Sequence, residues 1–131
     1  MMRGNEGLFS AKIIATNKVY YDDKLRYLNV RTLDGQIGFM AHHAPTVVAV
    51  EIGVLDAQKP DGSWVHVEVG KGILQFANNR LTLLVDTLET KEEVDIRRAE
   101  EAKERAEEEL RQKQSYVEFK KSQAALARAL G

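Results

Sequence analysis

Arg80-Leu81-Thr82-Leu83-Leu84-Val85-Asp86-Thr87-Leu88-Glu89-Thr90-Lys91-Glu92-Glu93 contains the change that decides the fold. Leu81, Leu83 and Val85 alternate with period two, the mark of a half-buried strand. A few residues later Thr90-Lys91-Glu92-Glu93 reads as a capping box: the threonine oxygen takes a backbone N–H and Glu93 reaches back. Residues 88 to 130 contain neither glycine nor proline, whereas the residues before them carry both prolines and eight of the nine glycines. The chain therefore divides into a β region, 1–88, and a helical region, 89–131.

Upstream of that change, turn residues punctuate short apolar runs. Asp34-Gly35 and Asn78-Asn79 tolerate the positive φ that two-residue hairpins need, and Lys59-Pro60-Asp61-Gly62-Ser63 is a third turn. Asp22-Asp23 and Asp34 also read as turn residues. Val65, Val67 and Val69 share one face of a strand, with Trp64, His66 and Glu68 on the other. Strands are predicted near 8–15, 18–21, 25–33, 36–40, 46–50, 53–58, 64–69, 72–77 and 80–87, too many and too short for one open sheet. The expected architecture is a two-sheet antiparallel β-sandwich.

The helical text carries a second start signal, Ser115-Tyr116-Val117-Glu118. Two signals predict two helices, roughly 91–112 and 116–130, folded as an antiparallel hairpin around Lys113–Ser115. That junction has no breaker and would equally accept one continuous helix. Ala99, Ala102, Ala106 and Leu110 form a narrow stripe, and Val117, Ala124 and Leu130 continue it less cleanly. Alanines bury little area, so a hairpin held by them is weakly held.

Composition narrows the function. A formal net charge of −1 supplies no global field toward nucleic acid. Cysteine is absent, which removes disulfides and thiolate metal sites. Met1–Gly7 has no apolar run and is not expected to be a secretion signal, and no segment approaches membrane-span length. There is no glycine-rich phosphate loop, no convincing Ser–His–Asp set and no pair of histidine ligands on a helix. A β body with a helical arm suits binding and movement better than catalysis.

Gly35-Gln36-Ile37-Gly38-Phe39-Met40-Ala41-His42-His43-Ala44-Pro45 resembles the signature loop of the epsilon subunit family of the bacterial F-type ATP synthase. Gly70-Lys71-Gly72-Ile73, Asn78-Asn79-Arg80-Leu81-Thr82-Leu83-Leu84 and Asp95 to Ala106 resemble later segments of that family, in order, so that the likeness runs from about Leu8 to Leu130. It implies a sandwich of about ten strands followed by a two-helix hairpin. It also implies a non-catalytic subunit of the central stalk, peripheral to the cytoplasmic face of the plasma membrane. The implied partners are the gamma subunit, the c-ring and, through an extended arm, the catalytic alpha/beta head. The implied roles are coupling and inhibition of ATP hydrolysis. Gln36, His43, Ala44 and Pro45 then belong to the surface facing gamma and the c-ring. Many members have Glu in place of Gln36, and Pro-Gly in place of Ala41-His42, so a pre-bent turn is missing here.

Val94-Asp95-Ile96-Arg97-Arg98-Ala99 resembles a motif through which some bacterial members bind ATP on the folded hairpin. The resemblance assigns Glu89, Asp95, Arg98, Ala99, Arg105 and Arg128 to a regulatory ATP site, with no required cofactor and no metal. Carboxylates could accept from adenine or ribose, and arginines from both helices could fork onto phosphate. The same residues also suit ordinary surface ion pairs, Asp95 with Arg98 and Glu101 with Arg105. Two other functions fit the same text: an ATP-binding sensor acting through the folded hairpin, and a generic sandwich and coiled-coil adaptor.

Overall fold

The computed structural model describes residues 7–16 and 18–131, so the lead-in Met1–Glu6 and Asn17 lie outside it. The chain forms two compact units, Met1–Lys91 and Glu92–Gly131.

The first unit is a sandwich of ten strands: β1 Phe9–Ala15, β2 Lys18–Leu25, β3 Tyr27–Thr32, β4 Gly35–Met40, β5 Thr46–Val50, β6 Gly53–Gln58, β7 Trp64–Val69, β8 Gly72–Ala77, β9 Arg80–Val85 and β10 Leu88–Thr90. Five make one sheet, in the order β2-β1-β9-β8-β5, and five the other, in the order β10-β7-β6-β3-β4. Alternation places one face of each sheet inward. Phe9, Ala11 and Ile13 from β1, Leu74 and Phe76 from β8, and Leu81, Leu83 and Val85 from β9 meet Leu28, Val30, Phe39, Leu55, Val67 and Val69 from the other sheet. Among the described residues no polar or charged residue is buried. Each large apolar side chain in such a core contributes about 1.5–3 kcal/mol.

The turns follow local chemistry. Asn78 and Asn79 both have positive φ, 52° and 58°, and join β8 to β9 as an antiparallel hairpin. Gly72 has a different reason: a Cβ there would lie 1.9 Å from the Leu84 carbonyl oxygen, so only glycine lets β8 approach β9 this closely.

Three expectations are corrected. The sandwich is not wholly antiparallel, because β1 runs parallel to β9 from Ser10↔Arg80 to Ala15↔Val85. Turn residues reveal only neighbouring hairpins, and this pairing joins strands from the two ends of the unit. Asp22-Asp23 does not turn; both acids lie exposed within β2, an edge strand where outward charge is tolerated and blocks further pairing. The chain breaks instead at Arg26, whose N–H donates to the Gln58 carbonyl at 2.8 Å.

The third correction concerns the second unit. No hairpin is present: Lys91–Leu130 is one α-helix, α1, of 40 residues. It begins directly after Thr90, as the first capping box requires, but runs through Lys113–Ser115 without interruption. Ser115 and Glu118 are helical residues here. The hydroxyl at a capping position acts only where the preceding backbone leaves N–H groups unpaired, and within a continuous helix none is left.

Candidate interaction surfaces

The loop after β4 is shaped by three side chains. Met40-Ala41-His42-His43 forms a four-residue turn, with His43 N–H donating to the Met40 carbonyl at 3.2 Å. His42 takes φ 63° at its third position, the feature of a type II turn and one ordinarily supplied by glycine. The missing Pro-Gly therefore does not abolish the bend; a histidine makes it at the cost of left-handed strain, about 1–2 kcal/mol. Asn79 offsets part of that cost: its Oδ1 accepts the His42 N–H at 2.8 Å while its Nδ2 donates to the Leu8 carbonyl at 3.0 Å. One turn residue thus ties the loop to β1's approach.

His43 and His42 diverge. The His43 ring packs on Phe39, with centroids 4.6 Å apart, and edge-on to Phe76 at 5.6 Å. Its Nδ1 donates to the Ala44 carbonyl at 2.8 Å, and Thr46 Oγ1 donates to the same oxygen. Among the described residues no group of three or more His, Asp or Glu could hold a metal ion. Ala44 and Pro45 are exposed beside His43, so these three share one loop. Gln36 does not join them; it is exposed at the far end of β4, about 13 Å along the strand.

A larger surface went unread in the sequence. On the outer face of the first sheet, strand register aligns Ile14, Leu84, Ile73 and Ala49 in one row across four strands. Ile73 and Leu84 are at least half exposed and Val47, on the edge strand β5, is 73% exposed. Contiguous exposed apolar patches, when large, are characteristic of interaction sites. The available signal was Leu83-Leu84: alternation explains only one leucine of the pair as core.

The nucleotide candidates fall on two elements. Glu89 lies in β10, half-buried, and faces Glu68 across the ladder. Asp95, Arg98, Ala99, Arg105 and Arg128 lie on α1. At 100° per residue the first four share one side of the helix, with Arg105 about 10 Å from Arg98 along the axis. Arg128 is about 45 Å from Arg98 on a straight helix, so the structure does not bring them to one ligand. Glu101, offered by spacing to Arg105, pairs with Arg97 at 3.1 Å. No helix among the described residues is long and apolar enough to cross a membrane.

A ten-strand sandwich followed by one long helix is a combination shared with known chains. Residues 8–91 match the beta-sandwich domain of the ATP synthase delta/epsilon chain, and residues 92–131 match its long alpha-helix domain. An ATP synthase epsilon chain from Caldicellulosiruptor bescii is 42% identical over 93% of this chain and 88% of its own length. One from Ruminiclostridium cellulolyticum is 36% identical over 93% and 90%. A chain of the Euglena gracilis mitochondrial ATP synthase, solved as OSCP/F1/c-ring, has a TM-score of 0.66 at 18% identity, covering 76% of this chain and 63% of that one. At that identity the likeness is one of fold. The chain belongs to the ATP synthase delta/epsilon chain family and is a non-catalytic subunit of the F-type ATP synthase, of the epsilon type.

Proposed function

We propose that the sandwich is a rotor component that couples the catalytic head to the c-ring, and that α1 is a regulatory arm restraining rotation in the hydrolysis direction. The apolar row Ile14–Leu84–Ile73–Ala49 with Val47 supports docking on a stalk partner, the gamma subunit. The exposed loop His43–Pro45, with Gln36 at the other end of β4, suits contact with the c-ring. In this reading the chain is peripheral to the membrane, on its cytoplasmic face.

The observation carrying the regulatory reading is the uninterrupted helix Lys91–Leu130, about 60 Å long, which can reach toward the alpha/beta head. Regulatory ATP enters this reading only through a folded arm, since Arg98, Arg105 and Arg128 cannot meet one nucleotide on a straight helix. A ligand that spans a folded arm favours it over the extended form.

The test compares ATP hydrolysis by the motor assembled with the full chain and with a chain ending at Lys91, which preserves β10. The truncated assembly should hydrolyse several-fold faster with coupling retained; equal rates would remove the arm's role. Repeating the comparison with Arg98→Ala addresses ATP. That variant should stay restrained at ATP concentrations that release the wild type, and identical release curves would dismiss the nucleotide site.

A further inference from the structure

The second sheet's outer face carries a recess that neither the docking row nor the loop explains. Tyr27 and Asn29 on β3, Gln36 on β4, Asp56 on β6, and Trp64 and His66 on β7 line a space of about 400 Å³. Register sets this up: His66 lies opposite Asp56, and Asp56 opposite Asn29. Trp64 is half exposed, its ring parallel to that of His66 with centroids 6.3 Å apart, and Tyr27 meets the indole edge-on at 5.8 Å. Gly38 leaves room for the Tyr27 ring, since a Cβ there would run into the Tyr27 hydroxyl.

The hydrogen-bonding inventory is not fully used. His66 Nδ1 is spent on Asp56 Oδ1 at 2.5 Å, and Asn29 Nδ2 on the Tyr27 hydroxyl at 3.0 Å. Asn29 Oδ1 is buried and has no partner, the one such side-chain atom among the described residues. A carboxylate accepts at both oxygens, so Asp56 retains capacity after the His66 bond, and Gln36 adds another carbonyl. Asn29 Oδ1, the second Asp56 oxygen and the Gln36 carbonyl remain as acceptors, beside donors from the Tyr27 hydroxyl, the Gln36 amide and the half-exposed indole. On this outward face Asp56 and Glu68 supply carboxylates, and Arg31, opposite Gln36, supplies a cation.

We propose that this recess receives an arginine side chain presented by a partner polypeptide. A guanidinium is planar, stacks on aromatic rings and carries five donors in a fixed fork, which matches parallel rings bordered by unpaired acceptors. A lysine ammonium lacks both the plane and the fork. The recess is open to solvent and cannot enclose a free small ligand as small-molecule sites do, so the remaining contact area comes from the polypeptide bearing the arginine. The open carbonyl of Gln36 and the free Asp56 oxygen are the acceptors an entering guanidinium meets first. The inference stands apart from the apolar row of the other sheet and from α1, and shares only Gln36 with the proposed c-ring contact.

Trp64 is the chain's single tryptophan, so its fluorescence reports on this site alone. Titration of the full chain with N-acetyl-arginine amide should give a saturable change, with an apparent Kd on the order of millimolar. The lysine amide should bind several-fold more weakly, and the citrulline amide, neutral and nearly isosteric, should give no saturable change. Asp56→Asn should weaken the arginine response about tenfold. Equal responses to arginine and lysine would reduce the site to surface charge and overturn the proposal. So would a response to citrulline matching arginine, which needs no variant and therefore stands even if Asp56→Asn disturbs the sheet.

Discussion

Between Phe9 and Val85, 17 buried apolar residues form a single cluster, whereas from Asp95 to Leu130 every residue of α1 is exposed. The two regions are thus stable for different reasons. The sandwich is specified by side chains that are distant in sequence and fit one another. The helix draws on alanine, on good helix formers, and on local pairs such as Glu108–Arg111 at 2.6 Å and Lys120 over the Tyr116 ring. An isolated helix persists in water only when long, and 40 residues is well beyond the marginal length. From Asp95 onward the helix therefore depends on no distant contact.

The largest effect should come from attacking the sandwich. Phe76 is fully buried, and its ring meets Phe9 at 5.5 Å and Phe39 at 5.8 Å. Phe76→Ala should cost about 3–5 kcal/mol, a large share of a typical domain's total. Urea unfolding followed by Trp64 emission would read it, and the far-UV helical signal should outlast the Trp64 transition. A single shared transition would mean that the two regions do not hold themselves separately.

Where the sequence could be read, the reason was local chemistry. Asn78-Asn79 announced its own turn because asparagine tolerates positive φ, and Thr90-Lys91-Glu92-Glu93 marked the start of α1 because capping is a first-turn property. Alternation identified Val67, Val69, Leu81 and Leu83 as inward. It could not reveal the parallel pairing of β1 with β9, which no turn encodes. Nor could it choose between a hairpin and one helix, since Lys113, Gln114 and Ser115 include no breaker and satisfy both. The signature loop was legible as His43-Ala44-Pro45, but its bend was not: that depends on His42 adopting a left-handed conformation that Asn79's amide, from a distant hairpin, helps to hold. Trp64 and His66 were recognisable as one strand face, yet their recess required Tyr27, Asn29 and Asp56 from two other strands.

A smaller effect belongs to the helix. Ala106 lies in its exposed interior, where glycine costs about 1 kcal/mol in backbone entropy. Ala106→Gly should lower helicity measured by circular dichroism while moving the Trp64 unfolding midpoint by no more than about 0.5 kcal/mol. A comparable shift in both signals would show that the helix supports the sandwich.

The smallest effect probes locally held structure within the sandwich itself, in the turn Lys59–Ser63. Lys59 N–H donates to the Ser63 carbonyl at 2.8 Å and Gly62 N–H to the Lys59 carbonyl at 2.9 Å. Asp61 Oδ1 accepts the Ser63 hydroxyl at 2.6 Å and the Ser63 N–H at 2.9 Å. Those two bonds, the hydroxyl first, hold the Asp61 carboxyl below its ordinary range, with the Lys59 charge adding to them. A depressed carboxylate pKa contributes stability that is fully present above the unfolded value, about 3.9, and is lost as pH falls through the folded one. Asp61→Asn keeps an acceptor oxygen but cannot ionise. The wild type should therefore exceed the variant at about pH 6, with the gap closing as the pH drops below about 4. Denaturation midpoints measured in parallel across that range provide the comparison. A gap that stays constant down to about pH 2.5 would mean that ionisation of Asp61 contributes nothing to the turn, and that its stability, like the core's, comes from fit rather than from charge.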